Sequence, residues 1–302
     1  MRSVSLFALA LLVAFGAAVA AGSAIGPEPS GTGAAGAEPA AMADHAAEAS
    51  ATAVAEGHDG GHGGTRAADA APHGLAVADG GLRLVLATPE LERGRTQVLR
   101  FRIVDAHDRP VRSFQLAHER RMHAIVVRRD LTGFQHVHPR MARDGTWSVP
   151  LRLDAAGTYR LYADFRRGGE ARTLASDLRV DGAADLRPLP APTIRATSDG
   201  GDVVRLDAGT VRAGRESTLR FAVERDGAAV ALAPYLGAAG HLVALRDGDG
   251  AFLHVHPQES ATAQGRAAFM ATFPSAGRYR LFLQYRVGAH VRTGAFTIEV
   301  RQ

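Results

Sequence analysis

Two histidine triads of identical spacing stand in this chain: His123 with His136 and His138, and His241 with His254 and His256. In each, the first histidine precedes a His-Val-His-Pro block by thirteen positions. Imidazole is the commonest side-chain metal ligand, so matched triads point to metal chemistry. Three imidazoles leave an open coordination position and suit Cu(II) or Zn(II).

Alternate residues of a strand share a face. His136 and His138 therefore project together, as do His254 and His256. Val137 and Val255 point the other way, into a sandwich. Pro139 and Pro257 end the strand or sit at its edge, because proline cannot donate to a ladder. The third ligand arrives by a hairpin. Residues 122–128 read as a strand and Asp130-Leu131-Thr132-Gly133 as its turn, with Arg246-Asp247-Gly248-Asp249-Gly250 as the second copy. Folding about that turn sets His123 nearly opposite His136, with Cβ atoms about 5 Å apart. The expectation is one ion per module, each at a sheet edge.

The surroundings of the triads differ. Alignment sets His118 against Leu236, Met122 against Gly240 and Asp164 against Gln284. The first module thus offers an extra imidazole, a thioether and a carboxylate. A soft thioether favours Cu(I) and a carboxylate a harder ion, although Met122 also suits a core.

The elements that must position these residues are duplicated as well. Ala156-Gly157-Thr158-Tyr159-Arg160-Leu161-Tyr162 is answered by Ala276-Gly277-Arg278-Tyr279-Arg280-Leu281-Phe282. Self-similarity at one period marks repeated structural units. Short apolar or alternating runs bounded by glycine and aspartate turns, without helical periodicity, predict strands. The fold class is all-β: two tandem immunoglobulin-like β-sandwiches, at 75–182 and 193–302. Pro-rich 181–192 joins them. Trp147, Tyr159 and Tyr279 read as core aromatics.

Residues 1–25 form an apolar segment behind Met1-Arg2, a signal peptide with a small-residue cleavage site at Ala18-Val19-Ala20, or a membrane anchor. Residues 26–74 are rich in Ala, Gly, Pro and Glu, and carry His45, His58, His62 and His73. With so little apolar side chain they predict a disordered linker, and His-rich tracts of this kind can hold metal weakly. Both readings of the first segment place the modules outside the cytoplasm, secreted or held to the membrane.

Cysteine is absent. Disulfides, thiolate metal sites and cysteine nucleophiles are excluded, so each module stands on its own core. The net charge is +4, and residues 1–74 hold Arg2 and Arg66 against seven acids, which leaves +9 on the modules. The arginines are scattered and no nucleic-acid motif occurs, so no nucleic-acid partner is expected. Weak attraction to acidic cell-surface polymer is consistent with the charge.

The stretch Arg129-Asp130-Leu131-Thr132-Gly133-Phe134-Gln135-His136-Val137-His138-Pro139, with Pro234-Tyr235-Leu236-Gly237 through His256-Pro257, resembles exported or membrane-anchored proteins of GC-rich bacteria described as heavy-metal-binding or YtkA-like. The resemblance covers roughly 75–302. More loosely, a small cysteine-free sandwich with terminal histidines resembles periplasmic copper carriers of the CopC type. The resemblance implies a β-sandwich that handles metal, with a partner in envelope metal handling.

Three function classes follow. The first is a non-enzymatic extracytoplasmic protein that binds copper or zinc through its triads. The second is a surface or partner-binding sandwich whose histidines are structural. The third is a cupin-like metalloenzyme, but Glu259 follows His256 by three positions where Met141 follows His138, so that pattern fails in one copy. No Ser-His-Asp arrangement, phosphate loop or acid pair stands out.

Overall fold

The computed structural model describes residues 73–253, 255–258 and 264–302. The apolar segment, the linker up to residue 72, and His254 lie outside the described residues. No described helix is long and apolar enough to cross a membrane.

The first module contains β1 (Ala78–Asp79), β2 (Leu82–Leu86), β3 (Glu90–Leu91), β4 (Thr96–Val104), β5 (His123–Arg128), β6 (Gln135–Val137), β7 (Arg140–Met141), β8 (Trp147–Arg152), β9 (Gly157–Arg167) and β10 (Glu170–Val180). They form two sheets, ordered β1-β2-β4-β8-β7 and β3-β10-β9-β5-β6. Short β3 runs parallel to β10 while the other pairs are antiparallel.

The second module repeats the plan with β11 (Arg195–Thr197), β12 (Val203–Asp207), β13 (Glu216–Arg225), β14 (Ala228–Ala229), β15 (His241–Arg246), β16 (Phe252–Leu253), β17 (His256–Pro257), β18 (Arg266–Thr272), β19 (Gly277–Val287) and β20 (His290–Val300). Its sheets are ordered β11-β12-β13-β18-β17 and β16-β15-β19-β20.

Each module closes over its own core. Leu99, Phe101, Ile103, Trp147 and Leu161 fill the first, and Leu219, Phe221, Phe269, Leu281 and Phe296 the second. A tyrosine fixes the same corner in each: Tyr159 Oη donates to Ala155 O at 2.9 Å, and Tyr279 Oη to Ser275 O at 3.0 Å. This return bond at the start of a long strand is a mark of immunoglobulin-like sandwiches. Both modules are therefore immunoglobulin-like, as the sequence predicts.

The sheets carrying β5 and β15 also bury their outer faces against each other. On β5, Ala124 and Val126 enter the module core while Ile125 and Val127 enter a third apolar cluster. On β15, Leu242 and Ala244 go inward while Val243 and Leu245 join that same cluster. Burial on both faces explains why these strands are continuously apolar rather than alternating. Phe134 stacks on Phe282 with centroids 4.1 Å apart, and the reciprocal pair Tyr162 and Phe252 meets at 5.7 Å. The seam thus has approximate two-fold character.

Chain leading into the first module is stitched to this seam. His73 O accepts from Phe252 N at 2.9 Å, and Gly74 N donates to Thr173 O at 3.2 Å. Gly74 has φ +68°, and a Cβ there would lie 2.7 Å from the Tyr162 ring.

Candidate metal site

The hairpin between β5 and β6 is held by a buried ion pair. Arg128 grips Asp130, at 2.6 Å on its shorter arm, with both side chains only 5% exposed. Asp130 also accepts from Thr132 and from Arg187 N. Arg128 donates to Asp185 O, so the turn is tied to the inter-module joint. Leu131 and Gly133 take the left-handed conformation within the turn, and a Cβ on Gly133 would press on Tyr159 at 3.2 Å.

The register differs from the predicted one. Ile125, not His123, lies opposite His136. His123 lies one pleat further along the same face, level with the position of His138 just beyond β6. The offset still brings the rings together, because long side chains on one face reach diagonal neighbours. His123 Nδ1 is 3.0 Å from His136 Nε2. His138 lies beside them, with centroids 5.1 Å from His123 and 4.7 Å from His136.

The larger difference is where the fourth imidazole comes from. His241 reaches the same cluster from the second module, its ring 4.8 Å from His136 and 5.5 Å from His123. Ligating atoms of His123, His136 and His241 all lie within 4.8 Å of one another. Sequence reasoning set His241 in a separate triad with His254 and His256. The described residues instead join His241 to the first triad, and His256 is exposed on β17, opposite Met270 in the other sheet of its module. The spacing could not show this, since it reports contacts within a module and not which outer faces pack.

Neighbouring residues complete the site. His118, with φ +47°, sets its ring 6.1 Å from His123 and 5.6 Å from His241. Met122 is 1% exposed in the first module's core, so it is filler and no thioether ligand. Asp164 is buried opposite His123 and accepts from Thr173 Oγ1 at 2.8 Å; burial raises its pKa. Its counterpart Gln284 lies opposite His241 and contacts His136. The sequence alone does not show that role for Gln284; its alignment with Asp164 is the signal that points toward the site.

Proton counting shows what the arrangement can do. His123 Nε2 lies 3.0 Å from Ala117 O, and His136 Nδ1 lies 2.7 Å from Gln284 Oε1. Both oxygens accept, so both ring nitrogens donate. A neutral imidazole has one N–H. The remaining nitrogens, His123 Nδ1 and His136 Nε2, therefore face each other with lone pairs at 3.0 Å. With the Gln284 oxygen facing His136, a shared proton or a cation relieves that apposition; turning the amide so that its nitrogen donates to His136 relieves it without either. Two nitrogens each ~2.1 Å from a metal and about a right angle apart span roughly this distance. A ligating histidine that donates its other N–H to a carbonyl oxygen is the usual outer-shell arrangement.

Electrostatics disfavour the proton. Burial pushes the His136 and His241 pKa values well below the ordinary imidazole value, and the neighbouring imidazoles lower them further. Burial also lowers His123, and with His123 and Arg120 nearby it brings His138 to about 4. The rings are thus neutral at pH 7, the form that ligates. His138 Nε2 is buried and has no hydrogen-bond partner among the described residues, so it is one more free donor atom.

A family model described as a domain of unknown function, DUF8832, matches residues 76–182 and again 196–302. The chain belongs to the DUF8832 family. Its two family copies correspond to the two sandwiches, so the duplication read from the triads is that of a whole domain. No curated protein matches the chain. Among solved structures, the Escherichia coli adhesin FdeC is 16% identical, with a TM-score of 0.26, over 75% of this chain and 66% of that one. A Salmonella alpha-2-macroglobulin mutant is 14% identical, with a TM-score of 0.27, over 78% of this chain and 15% of that one. Yersinia pseudotuberculosis InvD is 13% identical, with a TM-score of 0.24, over 73% of this chain and 57% of that one. The matches thus span less than two thirds of each of these proteins.

Proposed function

We propose that this DUF8832 protein binds one transition-metal ion, Cu(II) or Zn(II), at the seam between its modules, with His123, His136 and His241 as ligands and His138 beside them. The observation that carries this reading is the 3.0 Å approach of His123 Nδ1 to His136 Nε2, with the other nitrogen of each ring set against a carbonyl oxygen and His241 within reach of both. An all-imidazole set without thiolate or thioether suits Zn(II) and Cu(II) better than Cu(I). The role is binding rather than turnover, and the setting is the cell envelope, given the apolar N-terminal segment and the absence of cysteine. A partner that delivers or accepts the ion belongs to the same proposal.

The test is a titration of the metal-free full chain with Cu(II) and Zn(II), followed by calorimetry and, for copper, by electron paramagnetic resonance. One equivalent with nitrogen hyperfine structure supports the reading. Absence of binding at micromolar metal overturns it.

A second reading rests on the same contacts. His136 and Gln284 join the two modules directly at 2.7 Å, so the cluster can serve as a polar lock that fixes how the sheets pack. Under that reading, replacing His136 loosens the modules while metal has no effect on the wild-type melting temperature.

A further inference from the structure

The outer face of the sheet that carries β11, β12, β13 and β18 in the second module, far in sequence from the histidines of the first, forms a trough of about 970 Å³. Its rows follow from the strand register. Arg195 lies opposite Arg205, Arg205 opposite Ala222, and Ala222 opposite Arg266. One pleat along, Asp207 lies opposite Arg220, which lies opposite Ala268. All four arginines are exposed. The alanines leave the gap between them, so long cationic side chains rise on either side of a floor of small residues.

This is costly chemistry for a surface that does nothing. Like charges directly opposite across strands are destabilising, and Arg195 faces Arg205. Glu224 accepts from Arg205 at 3.0 Å, while Arg195, Arg220 and Arg266 form no ion pair within the described residues. The duplication supplies an internal control. In the first module the corresponding row is Val85, Arg102 and Thr146, and the one arginine is fully engaged. Arg102 donates to Thr146 Oγ1 at 2.8 Å and to Asp144 at 2.9 Å. The second copy carries Arg205 and Arg266 where the first has Val85 and Thr146, keeps Arg220 at the position of Arg100, and among the described residues pairs only Arg205 with an acid.

We infer that this trough binds an acidic polysaccharide, a linear chain of carboxylate-bearing sugars. Strands are ~4.8 Å apart, so Arg205 and Arg266, on either side of β13, present charges about 10 Å apart to an extended polymer lying across the sheet. Among the described residues the trough has no exposed aromatic platform on which bases of single-stranded nucleic acid stack, because Phe221 points into the core at 1% exposure. Its one exposed aliphatic, Ile194, is too little to anchor in a bilayer but suits the apolar face of a sugar ring. The assignment is independent of the metal site.

The experiment titrates the full chain with oligogalacturonate at low ionic strength, against neutral dextran, duplex DNA and anionic phospholipid vesicles. The Arg195→Gln, Arg220→Gln, Arg266→Gln triple variant is compared with a charge-matched control, Arg112→Gln, Arg143→Gln, Arg167→Gln, whose sites are exposed on the first module. The expected result is that uronate binds, dextran does not, the trough variant binds at least tenfold more weakly, and the control binds as wild type. Circular dichroism confirms that both variants fold. The inference is overturned if the control loses as much affinity as the trough variant, if wild type does not distinguish uronate from dextran, or if DNA or vesicles bind more tightly than uronate in a manner abolished by the trough variant.

Discussion

His123 and His241 open the equivalent strands of the two modules, and their rings stack across the seam with centroids 5.5 Å apart and planes 3° from parallel. Equivalent positions meet because equivalent sheet faces pack. Ile125 and Val127 meet Val243 and Leu245 in the same apolar cluster, and the phenylalanine of each β-hairpin contacts the other module. The chain is a fused pseudo-dimer whose histidines lie near the local two-fold axis.

A composite site makes the modules interdependent. His241→Ala alone should weaken Cu(II) or Zn(II) binding at least tenfold, although His123, His136 and His138 remain. Calorimetry on the full chain checks this. Unchanged affinity would return the ligand set to the first module alone.

Gln284 contacts His136 at 2.7 Å, and under the proposed ligand set it would orient that ring as an outer partner. Loss of such an outer partner typically costs roughly 10–100-fold in metal affinity, and Gln284→Ala should fall in that range. Gln284→Glu, which can only accept, should retain binding. If the alanine variant binds as wild type, the proton placement on His136 is wrong.

Stability of the metal-free chain should fall as pH is lowered. His136, His241 and His138 have folded-state pKa values below the unfolded value of about 6.5. Between the two values the unfolded chain binds more protons, so stability rises with pH. The contribution is complete above about pH 6.5, declines as pH falls, and for His138 is exhausted below about 4. Thermal melts from pH 7.5 to 4 should show this, and His136→Gln should flatten the slope. A melting temperature independent of pH across that window would contradict the burial of neutral rings.

The second module has a lock of its own. Asp202 is 0% exposed and accepts from Tyr285 Oη at 2.9 Å and from Arg225 at 2.8 Å, with Arg292 at 3.2 Å. Removing one member of a buried charged network typically costs ~3 kcal/mol or more, so Asp202→Ala should destabilise the chain by about that amount in urea unfolding. A loss of under about 1 kcal/mol would place this network among surface pairs of little value.

The fold was legible because its signals are local. Paired turn glycines, the repeated Tyr159 and Tyr279 corners and the matched triads all report on one module at a time. The hairpin that gathers His123, His136 and His138 is legible for the same reason, apart from a two-residue offset that no turn residue encodes. His241 joining that cluster was hidden. What points to the seam is the run Ala124-Ile125-Val126-Val127 and its copy Leu242-Val243-Ala244-Leu245, apolar on both faces of the strand. Such a run signals double-sided burial but does not name what covers the second face.

The stitched seam also changes what strength it needs. In a free dimer of such modules, closure would depend on protein concentration. Here the joint at 181–192 keeps each face in the presence of the other, and short tethers give effective concentrations on the order of millimolar. An interface with a dissociation constant as weak as roughly 0.1 mM would then be closed about nine tenths of the time. Two sheets that would scarcely associate as separate proteins can thus hold a shared cluster of histidines in place, at any dilution of the chain.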